Sequence, residues 1–98
     1  MFDSTTSTDQ LEQRMLWRQA EISRLTAEHL ADLEVLDYRQ VATGDGCRSL
    51  SEWAAGRLDL SLDTARWLVR TMRRTTDRPH LREALEAGVS FDRVQALS

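Results

Sequence analysis

A chain of 98 residues with 41% apolar content makes at most one small domain with a modest core. It has no apolar run long enough to cross a membrane and no basic start leading into a hydrophobic segment and cleavage site. Its one cysteine, Cys47, can close no intrachain disulfide and has no spaced Cys or His partners for zinc, so neither secretion nor membrane spanning is expected and the cytoplasm is the expected compartment. The net charge of −3 is unevenly placed: residues 1–47 carry nine acids against four arginines, residues 48–98 carry nine arginines against seven acids, and all 13 basic residues are arginine.

Residues 1–8, rich in Ser, Thr and Asp, read as a frayed tail. From Asp9 to Ala42 there is no Pro or Gly, and Leu11, Met15, Ile22, Leu25, Leu33 and Leu36 recur at helical spacing. The spacing predicts a long amphipathic helix over 9–42, as one piece or two in line. Thr43-Gly44-Asp45-Gly46 stops it. Residues 43–98 are then expected to form a compact helical cluster containing the helix-turn-helix-like units. Ser49-x-x-Glu52 has the form of a capping box and opens a helix over 49–58, and Ser61 caps the next, over 61–75. Pro79 suits the first turn of a helix over 79–87, Gly88 ends it, and Ser90 caps a last helix from 90 onward. No strand pattern occurs, so the predicted class is all-α.

The run from Ser49 to Arg74 has the spacing of a helix-turn-helix, whose second helix can enter a major groove. Small Ala55 sits where the two helices are expected to approach. Asp59 sits where the turn needs a left-handed backbone, which Asp tolerates better than most. Ala84, Gly88-Val89-Ser90, Val94 and Leu97 repeat the offsets of Ala55, Asp59-Leu60-Ser61, Ala65 and Leu68, so one or two such units are expected. The expected core comprises Leu50, Trp53, Ala54, Leu58, Leu60, Ala65, Leu68, Val69, Met72, Leu81, Leu85, Val94 and Leu97. A buried Trp53 would cost about 3–5 kcal/mol on truncation to alanine. The last helix has barely completed two turns at Ser98, so the chain reads as the front part of something longer.

Arg57, Arg66, Arg70, Arg73, Arg74 and Arg78 are the candidate contacts to duplex DNA. Arginine makes forked contacts to phosphate or guanine, whereas cations near a helix C-terminus also stabilise it through its dipole without any partner. A lysine-free chain is equally a mark of a GC-rich coding sequence. Asp63 sits at the front of the second helix with the wrong sign for phosphate, and a domain of net charge −3 binds weakly alone. His29 and His80 lack second ligands, and Cys47 reads as a small hydrophobe, so no metal, no cofactor and no small-molecule substrate are expected. Trp17 reads as a dimer contact or a lid on the core, and Trp67 as a residue covering an interface.

Gly46-x-Arg48-Ser49-Leu50-x-x-Trp53, then Leu60-Ser61-x-x-Thr64-Ala65-Arg66, then Ala84-Leu85-x-Ala87-Gly88-x-Ser90 resemble the actinobacterial 13E12-repeat family, also called domain of unknown function 222, over about residues 30–98. In that family the domain usually precedes a C-terminal HNH nuclease whose histidines and asparagine bind a divalent metal; none of that machinery is in this chain. Cys47 departs from the pattern, where an aromatic is common. The resemblance implies a non-catalytic DNA-binding or targeting module. The alternative is a helical interaction module in which 9–42 pairs with a copy of itself or with a partner helix, because so long a helix cannot bury both its ends on so small a core.

Overall fold

The computed structural model describes residues 6–97, apart from the side chain of Leu97, and all its regular elements are helical. They are α1 (Thr8–Tyr38), α2 (Val41–Gly44), α3 (Leu50–Leu58), α4 (Leu62–Thr76), α5 (Pro79–Glu86) and α6 (Phe91–Leu97). The long first helix followed by shorter ones is as expected, with two corrections at the ends of α1. Ser7 is not tail: its hydroxyl accepts the Gln10 N–H at 3.2 Å while the Gln10 side chain accepts the Ser7 N–H at 3.1 Å, a complete capping box. At the other end the helix stops at Tyr38 rather than Ala42, because Gln40 turns left-handed at φ 54°. The turn lays Ala42 into the core and packs Val41 against it, and tertiary burial outweighs the local cost of about 1–2 kcal/mol for a left-handed non-glycine residue.

The core lies where α1, α4 and α5 meet, with Leu30, Met72, Leu81 and Leu85 all but inaccessible to solvent. The inner face of α1 is Ser23, Ala27, Leu30 and Leu33, not the stripe from Leu11 to Leu25, which is exposed. Small residues on that face allow close approach: a Cβ placed on Gly88 would lie 2.9 Å from the Ala20 Cβ. A helix of 31 residues is about 46 Å long in a molecule 53 × 31 × 18 Å across, and its first twelve residues, 8–19, are all exposed.

Three helix ends share one device. Gly46, Asp59 and Gly88 are left-handed, and the next residue's N–H in each case returns to an alanine carbonyl five residues back: Cys47 to Ala42 at 2.8 Å, Leu60 to Ala55 at 3.0 Å, Val89 to Ala84 at 2.9 Å. These are the long bonds of a Schellman cap. Ser49, Ser61 and Ser90 then cap the following helices by accepting the N–H of Glu52, Thr64 and Arg93. The echo between 55–68 and 84–97 in the sequence is thus an echo of backbone geometry. The close-approach residue of the first unit is Ala54, fully buried like Ala65, while Ala55 contributes its carbonyl.

Of the expected core, Leu58 is 43% exposed, and Trp53 and Leu60 are half-buried. Leu58 falls on the rim of an apolar groove between α1 and α3. Leu97 lies outside the described side chains. Buried Thr71 and Thr75 satisfy their hydroxyls on the carbonyls of Trp67 and Thr71, one turn back in α4.

The α1–α4–α5 junction is clamped by Arg82, whose side chain is only 13% exposed. Its guanidinium donates to Glu34 Oε2 at 2.7 Å, to the Met72 carbonyl at 2.9 Å and to Thr75 Oγ1 at 2.9 Å, with a longer bond to Thr76 Oγ1. It therefore ties α5 to α1 and places a positive charge at the C-terminal end of α4, where the helix dipole favours one.

Candidate nucleic-acid interface

Helix α4 is sharply two-sided because its sequence LDTARWLVRTMRRTT alternates apolar and arginine positions with helical period. Ala65, Leu68, Val69, Met72 and Thr75 face inward. Arg66, Arg70 and Arg74, spaced four apart, form a row on the solvent side with Arg73 beside them. These four arginines line a shallow groove together with Val69 of α4 and Ser51 of α3. Ser51 was not expected there; it joins because α3 lies alongside α4, and nothing in the local sequence marks it.

The four differ in how free they are. Arg70 and Arg74 make no ion pair among the described residues. Arg66 has a long 3.8 Å contact to Asp63, itself almost fully exposed, and Arg73 a 3.6 Å contact to Asp37 of α1. Exposed pairs at such distances are worth at most about 1 kcal/mol and are readily exchanged for a phosphate. Within α4 the four arginines face a single acid, Asp63, at the front of the helix.

The other two candidates stand apart. Arg57 is committed to Asp45 at 2.9 Å and lies over the Trp53 ring at 5.6 Å, and the Trp53 Nε1 donates to the same Asp45 oxygen at 2.7 Å. Arg78 is the exposed N-cap of α5 and does not line the groove. Trp67 is half-buried, and its ring packs on Phe91 of α6, centroids 4.2 Å apart. Trp17 stands on the N-terminal part of α1, exposed. Cys47 packs at the edge of the core, and no three His, Cys, Asp or Glu side chains converge as a metal set among the described residues. Among the described residues no helix is long and apolar enough to cross a membrane.

Because the Trp53 ring is half-buried rather than enclosed, Trp53→Ala is expected to cost about 2 kcal/mol, less than a fully buried ring would. Chemical denaturation at neutral pH measures this, and a loss above about 4 kcal/mol would mean that the ring is a central core element.

The chain matches no known protein family model, no curated protein and no solved structure.

Proposed function

We propose that this chain is a non-catalytic module of the cytoplasm that docks on duplex DNA through the outer face of α4. The observation that carries the reading is the row Arg66, Arg70 and Arg74, exposed on one face, with the last two free of ion pairs. Eight residues of helix span about 12 Å, comparable to the width of the major groove, so the row can reach phosphates along its edge. The arginines lie in the middle and rear of α4, while the front carries Leu62 and Asp63. Contacts of that kind position a protein on the backbone and carry little base information, so the binding is expected to be weakly sequence-selective. The resemblance to the 13E12-repeat family agrees with this reading, since there such a domain accompanies a nuclease that needs delivery to its substrate.

Binding to a short duplex should be detectable at about 50 mM salt with tens of micromolar protein, and it should weaken steeply as salt rises. Asp63→Arg should tighten it several-fold, because it removes the one acid at the front of the arginine row. Absence of binding by both proteins under these conditions would contradict the proposal and favour an interaction module.

A further inference from the structure

The N-terminal part of α1 carries apolar side chains that the fold leaves uncovered; besides Leu16 and Trp17 these are Leu11, Met15, Ile22 and Leu25, Met15 being 62% and Ile22 54% exposed. The last four make a line of their own. Their spacing of four, seven and three falls on the seam positions of a heptad, with Arg18 in the seam place between Met15 and Ile22. Over residues 8–25 the charges balance, three acids against three arginines, whereas the 98-residue chain carries −3. A neutral segment with an apolar seam is suited to pairing with itself, and the placement of its charges selects the direction. In a parallel pair the two Arg18 side chains would meet in the seam, and Arg14 and Glu21, which flank it, would find Gln19 and Thr26 opposite. In an antiparallel pair centred between Leu16 and Trp17, Leu11 meets Ile22, the Arg18 stem lies along Met15 with its charge reaching solvent, and Arg14 meets Glu21 twice by symmetry. Glu21 is already held by Arg24 one turn on in the same helix, at 2.8 Å, with lone pairs left for a second cation.

We infer that a second copy of this chain covers that face, the two α1 helices pairing antiparallel over residues 8–25 with Arg14 of each against Glu21 of the other. The contact uses the outer side of α1, opposite the face on which Ser23 is buried and Ala20 meets Gly88, so the two bundles stand at opposite ends of the pair, and each particle carries two weak arginine faces instead of one. Joined modules bind more tightly than either alone when both can engage. The inference stands independently of the DNA reading.

Sedimentation equilibrium of the full chain tests it. The wild type is expected to dimerise in the micromolar range and Ile22→Asp to be monomeric with an unchanged helical spectrum, since Ile22 is exposed and outside the monomer's core. Arg14→Glu should weaken dimerisation about tenfold, because two attractions become two repulsions, and Arg14→Glu combined with Glu21→Arg should restore it. A wild type that stays monomeric at high micromolar concentration, a dimer indifferent to Ile22→Asp, or a double variant no better than Arg14→Glu would each overturn the inference.

Discussion

Arg82→Ala is expected to destabilise the fold by about 3 kcal/mol, in the range for breaking a mostly buried ion pair. The guanidinium satisfies groups on two other helices, Glu34 on α1 and Met72, Thr75 and Thr76 on α4, and alanine abandons them together. In a domain of this size such a loss lowers the midpoint of thermal unfolding by about 12–24 °C. The clamp also leaves a pH signature. Hydrogen bonding to Arg82, and to Thr76, holds the Glu34 carboxyl below its ordinary value of 4.5. A depressed carboxyl contributes stability that is complete above its unfolded value and is lost as pH falls through the lower folded value. Because Glu34 is 39% exposed the contribution is small, less than about 1 kcal/mol. The wild type should therefore lose slightly more stability than Glu34→Gln between neutral pH and the region below 4.5. An Arg82→Ala protein melting within a few degrees of wild type would show that the clamp is incidental.

Gly88→Ala is expected to cost about 3 kcal/mol, from two causes acting together. The residue sits at φ +92°, where an L side chain is strained, and the new Cβ would come within 2.9 Å of the Ala20 Cβ. Gly46→Ala separates the causes, since Gly46 is also left-handed, at φ +78°, but open space surrounds its Cβ direction. That variant should lose only the backbone part, about 1 kcal/mol. The difference between the two, measured by denaturant unfolding, reports the α1 contact. Equal losses would mean that α1 gives way to the methyl group without cost.

Both residues show how unevenly the fold could be read beforehand. Local signals with a backbone mechanism were legible: the left-handed Asp59, the serine caps at 49, 61 and 90, Pro79 at N1 of α5, and the repeated alanine-to-serine offsets. Features that depend on which face meets which neighbour were not. Two stripes on α1 were equally helical in period, and the one with larger side chains at its N-terminal end is exposed because α5 and the Gly88 turn approach the smaller residues. Gln40 has no intrinsic reason to turn left-handed, so the end of α1 was invisible in composition. Ser7-x-x-Gln10 was a readable capping box hidden by the polar residues around it.

The arginines divide in the same way. Their row on α4 follows from spacing alone, whereas the engagement of Arg57 with Asp45 and Trp53 follows from the loop between α2 and α3, which spacing does not reveal. Arg82, three residues into α5, resembles any other arginine in sequence and is the least exposed of those with an ion pair.

The most direct test of the central claim, that the outer face of α4 meets phosphate, is the slope of binding affinity for duplex DNA against salt concentration, compared position by position. Arg70→Ala and Arg74→Ala are each expected to reduce the slope by about one and to weaken binding alike on unrelated sequences, while Arg57→Ala leaves the slope unchanged. Equal slopes for all of these variants and the wild type, or a loss at Arg57 as large as at Arg70, would contradict it.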